Sequence, residues 1–209
     1  MIKEAVVETI EEVESAIANG ADRLELCDNL AVGGTTPSYG MVEITAEICK
    51  AHKVELAVMI RPRGGDFVYN LYDFEIMQRD IKHFKSLQVD YFVFGCLTVD
   101  HVLNEWQMKT LRNLSAPIPV VCHMAFDLIH QHGQIKALHQ LIDLGFTRLL
   151  THGGPKESNL FNNLNHLGKL VVNSGGKIEI MPGGGLTKDN LPELLEAFPF
   201  QEVHGTKIV

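Results

Sequence analysis

Three stretches of the chain repeat one local plan, and that plan restricts the fold more than any other feature. Asn19-Gly20-Ala21-Asp22-Arg23-Leu24-Glu25-Leu26, Leu87-Gln88-Val89-Asp90-Tyr91-Phe92-Val93-Phe94-Gly95 and Leu144-Gly145-Phe146-Thr147-Arg148-Leu149-Leu150-Thr151 share it. Each runs from a helix end through a short break and a polar residue into a buried strand. Gly20 and Gly145 fall just past helix patterns, where a positive φ is common. Strand-like segments lie near 2–8, 22–28, 54–61, 90–95, 118–123, 147–152, 177–182 and 200–205. Helix patterns fill the gaps, among them 9–18, 38–52, 73–87 and 127–144, the last with Leu128, Ile135, Leu138, Leu141 and Ile142 at helical spacing. Repeated β-then-α units build a parallel sheet with helices outside, and about eight of them predict an α/β TIM (β/α)8 barrel. At 209 residues the barrel is small and forms one domain over 1–209. Val209 follows the last predicted strand almost at once, so the last outer helix is expected to be short or missing. An oligomer partner or a rearranged terminus would then cover the apolar surface beside the first and seventh helices.

The formal charge of −8 argues against a nucleic-acid partner, which would require clustered Lys and Arg on one face. Neither an apolar leader nor a membrane-length span is present, so a cytoplasmic protein with no membrane partner is expected. Cys27, Cys49, Cys96 and Cys122 form no C-x-x-C pair and are expected to be free thiols in a reducing compartment.

In a barrel, ligands bind at the carboxyl ends of the strands, and strand side chains alternate between interior and helix layer. Leu24 and Leu26 outward send Glu25 and Cys27 inside; Val203 outward sends Glu202 and His204 inside. Val58 and Ile60 outward turn Met59 and Arg61 inward, strand five brings His123 to the mouth, and strand one offers Glu4 and Glu8. Carboxylates, an arginine and histidines in a barrel interior are costly unless paired or used. The string Met59-Ile60-Arg61-Pro62-Arg63-Gly64-Gly65-Asp66-Phe67 leaves strand three with two guanidinium groups suited to gripping an anion. Met181-Pro182-Gly183-Gly184-Gly185-Leu186-Thr187 leaves strand seven toward a helix, where barrels often cradle phosphate. Asn29 to Pro37 is a long glycine loop able to act as a lid. Of 10 histidines, only His123, His152 and His204 fall at strand exits; with Cys27 they offer donors to a soft or borderline metal. No H-E-x-x-H, P-loop, placed G-x-G-x-x-G or G-x-S-x-G occurs.

The strings Gly20 to Cys27, Gly33-Gly34-Thr35-Thr36-Pro37-Ser38, Met59 to Phe67, Val93-Phe94-Gly95, His123 with Ala125-Phe126-Asp127, and Met181 to Gly185 run in one order over nearly the whole chain. In them the sequence resembles the CutC family of copper homeostasis proteins. The resemblance implies a TIM barrel, cytoplasmic location, a homo-oligomer (dimer or tetramer) and a role in copper tolerance or trafficking with no established reaction. The chain departs from the family at three places. The strand-one cysteine of a Glu-Val-Cys-Val-Asp-like string is Val6 here, so a Cu(I) site built from it and Cys27 has one thiolate fewer. The strand-five string reads Cys122-His123-Met124-Ala125-Phe126-Asp127, with methionine where arginine is usual, and the C-terminal string reads His204-Gly205-Thr206-Lys207.

Two functions follow. In the first, Cu(I) is held by Cys27, helped by His123, Met59 or Cys122, since thiolate and thioether donors select Cu(I). In the second, an enzyme acts on a small anionic, phosphorylated or sugar-like metabolite. Its acid and base are Glu25 with His123 or His204, and Arg61 grips the anion. Ligand-binding candidates are Arg61, Arg63, Asp66, Asp127, Gly183, Gly184 and Gly185.

Overall fold

The computed structural model describes residues 1–155 and 158–209. The first half runs β1 (Ile2–Val7), α1 (Ile10–Ala18), β2 (Arg23–Leu26), α2 (Tyr39–His52), β3 (Glu55–Met59), α3 (Leu71–Phe84), β4 (Tyr91–Phe94) and α4 (Glu105–Ser115). The second half runs β5 (Val120–Cys122), α5 (Gln131–Leu144), β6 (Arg148–Thr151), α6 (Leu164–Ser174), β7 (Glu179–Pro182), α7 (Leu191–Ala197) and β8 (Glu202–Gly205). Every ladder is parallel, in the order β7-β6-β5-β4-β3-β2-β1-β8. This is a TIM barrel in which, among the described residues, seven α-helices surround eight strands and none follows β8.

Local chemistry explains the boundaries. Thr9 and Glu12 make a reciprocal capping box: the Thr9 hydroxyl accepts the Glu12 N–H, and the Glu12 carboxylate accepts the Thr9 N–H. Ser38 caps α2 through the Met41 N–H, and Asn70 caps α3 through Tyr72 and Asp73. Gly20 and Gly145 both take positive φ, +87° and +79°, at the ends of α1 and α5. Two predicted helix spans shift. The third helix begins at Leu71 because Asn70 caps it there, and it closes at Phe84. The segment predicted as a helix over 127–144 is divided: a 3-10 turn covers Met124–Leu128, and α5 starts at Gln131. His123 and His130 each accept a backbone N–H two residues on, from Ala125 and His132, so each starts its own turn. Leu128 therefore stands in solvent while Leu138 and Leu141 are fully buried.

The ladder leaves a seam between β7 and β8, and glycines let that seam close. A Cβ on Gly183 would sit 2.6 Å from Leu150 Cδ1 and 3.1 Å from His204 Cδ2, and one on Gly205 would sit 2.5 Å from the Leu186 carbonyl oxygen. Beyond β8 the chain turns back: Lys207 bridges Thr187, the Lys188 N–H donates to the Lys207 carbonyl, and Ile208 is fully buried. Of the two covers predicted for this end of the barrel, the rearranged terminus is the one the chain itself supplies.

Apolar residues between sheet and helices form the main core, and a smaller cluster of Cys27, Ala57, Met59, Val93, Val121, Leu150 and Met181 fills the barrel. Beneath the inner cluster lies a charged layer. Register places Arg23 beside Glu4 on one side and Glu55 on the other. Its guanidinium, fully buried, donates to Glu4, Glu202 and Glu55, the last at 3.2 Å, and lies 5.3 Å from the Tyr91 ring centroid. Arg148 donates to the same Glu202 at 2.6 Å and stacks 4.3 Å from the same Tyr91 centroid. Removing one member of a buried ion cluster strands the others, at a cost of about 3–5 kcal/mol, whereas neutralising all members together is often harmless. Arg23→Met is expected to lower unfolding free energy by that amount in urea titrations. The combined variant Arg23→Met, Glu4→Gln, which leaves Glu202 with Arg148 and the half-exposed Glu55 in solvent, should recover most of the loss, and an equal loss in both would show that the ions themselves hold the barrel.

Candidate functional site

Above the inner cluster, at the carboxyl ends of the strands, is a cavity of about 160 Å³ that is partly open to solvent. Its polar lining is Glu25 from β2, Cys27 just beyond it, His123 after β5 and His204 from β8. Val6, Met59 and Leu150 from the strands, and Leu30, Phe67 and Met124 from the loops above, supply apolar wall. The strand parity read from the sequence holds: Glu4, Glu25, Cys27, Met59, Glu202 and His204 face inward, while Leu24, Leu26, Val58, Ile60 and Val203 pack under the helices.

A relay of contacts ties the charged layer to the cavity. Glu4, fastened to Arg23, pairs with His204 Nδ1 at 2.7 Å; His204 Nε2 lies 3.7 Å from Glu25 Oε2; and the Cys27 thiol donates to that same oxygen at 3.8 Å. Burial works to raise the Glu4 carboxyl, but the His204 hydrogen bond and the Arg23 charge outweigh it and hold Glu4 well below the usual range. Glu25 lacks such partners. Burial, aided by the Glu4 charge and opposed by His204, pushes it from 4.5 up to about 7. Burial depresses His204, yet the carboxylates of Glu25 and Glu4 raise it overall. Cys27 is pushed well above its ordinary value by burial and then by the Glu25 charge, so the thiol keeps its proton.

His123 is different in kind. Its Nδ1 accepts the Ala125 N–H at 3.2 Å, which assigns the ring proton to Nε2. Burial and the Arg61 charge push it down to about 3, so the ring stays neutral. Gly95 gives it a seat, since a Cβ there would lie 2.8 Å from the ring, and Phe67 packs on it with centroids 4.8 Å apart.

The structure does not bring every candidate to the cavity. Arg61 donates to the carbonyls of Val32, Gly34 and Gly65 at 3.0, 2.8 and 2.8 Å and lies over Phe67 at 4.7 Å. It staples the predicted lid loop to the β3 exit from behind Phe67. Arg63 bridges Asp73 at 2.9 Å and Asp66 at 3.0 Å on the rim, tying this loop to α3. Asp127 accepts the Thr151 hydroxyl at 2.5 Å and the His152 N–H at 2.8 Å; burial outweighs these bonds and pushes it to about 6. It fastens the end of β6. Gly183 donates to the Thr151 carbonyl, Gly185 accepts from Asn190, and a Cβ on Gly184 would lie 2.5 Å from His152 Nδ1. The glycine run therefore closes loops together, and α7 starts only at Leu191, after a turn rather than directly. His152 contacts the carbonyls of Gly183 and Ser158 through its two ring nitrogens. Cys49, Cys96 and Cys122 are free thiols buried in the outer core, leaving Cys27 as the cavity's thiol. Among the described residues no group of three or more His, Cys, Asp or Glu is arranged to hold a metal ion.

Sequence reasoning missed Arg23, Tyr91 and Arg148, which it took as the polar lead-in to a strand or passed over. Parity carried a usable signal: Arg23 is two residues before Glu25, on the same inward face.

These features define a (β/α)8 barrel whose mouth holds a protonated thiol, thioethers and imidazoles around one buried carboxyl. The sequence model of the CutC family matches residues 1–209. A CutC family protein of Enterococcus faecalis is 43% identical over 209 residues, covering all of both chains. The human copper homeostasis protein cutC homolog is 38% identical over 203 residues, 97% of this chain and 72% of that one. The crystal structure of a Streptococcus agalactiae CutC superposes with a TM-score of 0.96 at 38% identity, with both chains fully covered. The chain belongs to the CutC family.

The ionisation of Glu25 gives a test of the site. A carboxyl raised in the fold stabilises it fully below about 4.5, and that contribution is lost as the pH climbs through about 7. His204, also raised, acts in the same sense: its contribution is present below 6.5 and is lost above its folded value. Glu25→Gln should match the wild type in Tm near pH 4 and exceed it at pH 8. A wild type that gains on the variant with rising pH would remove burial as the dominant influence on Glu25.

Proposed function

We propose that the protein acts in copper homeostasis by taking one Cu(I) ion into the barrel mouth as cargo, with Cys27 as principal ligand. One observation carries this reading. Cys27 and Met59, a thiol and a thioether, line the same cavity and meet over Gly34: a Cβ there would lie 3.0 Å from Cys27 Sγ and 3.6 Å from the Met59 methyl. Sulfur donors of this pair prefer Cu(I) over harder ions. Glu25 supplies a carboxylate that attracts a cation, whereas His123, with Nδ1 taken by the Ala125 N–H and its proton on Nε2, has no free lone pair for the ion. Cys122 contributes nothing, since it lies in the outer core. The names of the human and mouse relatives, copper homeostasis protein cutC homolog, agree with this reading.

The anionic-metabolite reading loses its arginine. No arginine or lysine lines the cavity among the described residues, because Arg61 and Arg63 are taken up by loop carbonyls and rim carboxylates. A cytoplasmic setting belongs to the proposal and is supported by four free cysteines. Among the described residues no helix is long and apolar enough to cross a membrane. A homo-oligomer, dimer or tetramer, also belongs to it: Leu71, Tyr72 and Trp106 stand largely exposed on α3 and α4, where Phe74 stacks on Trp106 at 5.0 Å.

An anaerobic Cu(I) titration against a competing chelator is expected to show one equivalent bound, lost in Cys27→Ala and weakened about 10- to 100-fold in Met59→Leu. Val6→Cys, which puts a second thiol on the cavity wall, should tighten binding at least about tenfold. Binding unchanged in Cys27→Ala would exclude this site. Light scattering should give a mass of two or four chains, reduced to one in Leu71→Glu, Tyr72→Glu; a monomeric wild type would remove the oligomer.

A further inference from the structure

The cavity holds two atoms that copper binding does not explain. Glu25 Oε1 and His123 Nε2 are both buried and have no hydrogen-bond partner among the described residues. Both residues are 3% exposed and line the same 160 Å³ space. A buried polar atom left unpaired opposes folding, and two of them on residues lining one cavity point to a bound partner there.

Their chemistry defines that ligand. His123 Nε2 carries the ring proton, because Nδ1 accepts from Ala125, so the atom offers a donor of fixed direction. Glu25 Oε2 is already shared by the Cys27 thiol and His204, which leaves Oε1 as the acceptor. An anion would meet the Glu25 carboxylate, with no lysine or arginine on the lining and with the His204 imidazole already turned to Glu4 at 2.7 Å and Glu25 at 3.7 Å, and an ammonium would meet the His123 N–H. Leu30 and Phe67 cover the space with carbon. Its 160 Å³ is about five water volumes, which suits a compound of about five non-hydrogen atoms.

We infer that the barrel mouth is also a binding site for a small uncharged hydroxycarbonyl compound, its carbonyl oxygen accepting from His123 Nε2 and its hydroxyl donating to Glu25 Oε1. The site does not require Cys27, and so stands apart from the Cu(I) reading.

Hydroxyacetone, with five non-hydrogen atoms, is the probe. It is titrated into metal-free protein while the His123 side-chain nitrogens are followed by long-range ¹⁵N–¹H NMR. The expected result is a saturable shift of His123 Nε2 in the millimolar range, with lactate giving less than a tenth of the effect at equal concentration. Cys27→Ala should keep the response. His123→Asn, whose amide oxygen can still cap the Ala125 N–H, should lose hydroxyacetone binding, read from ligand-line broadening. Glu25→Gln, which keeps the shape of the site, should weaken binding at least fivefold and serves where His123→Asn fails to fold. A cavity that takes only water would show no saturable shift and overturn the inference. Lactate binding as well as hydroxyacetone, or binding unchanged in both folded variants, would overturn it too. Loss of Cu(I) binding in Cys27→Ala with the hydroxyacetone response intact would separate the two sites.

Discussion

The Arg23 guanidinium, sealed at the foot of the barrel between Glu4, Glu202 and Glu55, is the interaction on which the rest of the site depends. Five N–H donors in a rigid fork allow one side chain to reach carboxylates on three different strands. That settles how β1, β2, β3 and β8 stand relative to one another, and together with the His204 hydrogen bond it holds Glu4 ionised. Glu4 in turn orients His204, and His204 faces Glu25 across 3.7 Å. With each step away from Arg23 the compensation weakens. Glu4 is held low, whereas Glu25 rises to about 7. The gradient leaves one carboxyl at the mouth whose charge is the least settled of the series, next to the cavity's thiol.

Small barrels fill their interior with branched apolar side chains, and this one does so only in its middle. Ala57, Val93, Val121, Leu150 and Met181 form a thin apolar plug between the ion layer below and the polar cavity above. The plug separates two electrostatic environments that are joined through β1 and β8. Closure at the β7–β8 seam is steric rather than hydrogen-bonded, and Gly183 and Gly205 permit it by bringing backbone and side chains nearer than any Cβ would allow. The same glycines that resemble a phosphate cradle in sequence are thus occupied with packing.

Most of the fold was legible in the sequence because a barrel strand writes its two faces in alternation. Leu24 and Leu26 against Glu25 and Cys27, or Val203 against His204, needed no further information. What stayed hidden depends on contacts between distant segments. Arg61 has the parity and the neighbours of an anion-binding residue, and only the folded lid loop shows that three backbone carbonyls claim it. The helix predicted from position 127 begins at Gln131 because two histidines, His123 and His130, cap their own turns, a role that hydrophobic periodicity does not encode. Arg23 was overlooked for the opposite reason: a buried arginine looks improbable until its three carboxylate partners are known.

The replacement of the strand-one cysteine by Val6 bears on how copper would be handled. Val6 pairs with Glu25 in register and lines the cavity, so a thiol there would stand on the strand next to Cys27. With valine in place, a Cu(I) ion taken up as proposed would meet one thiol and a thioether. It must also displace a proton that burial and the Glu25 charge both hold on Cys27. The same carboxylate attracts the cation it delays, because a positive ion relieves the charge that keeps the thiol protonated. Were copper bound here as proposed, a site with fewer thiolates and a proton to exchange would suit its transient transfer better than its permanent retention.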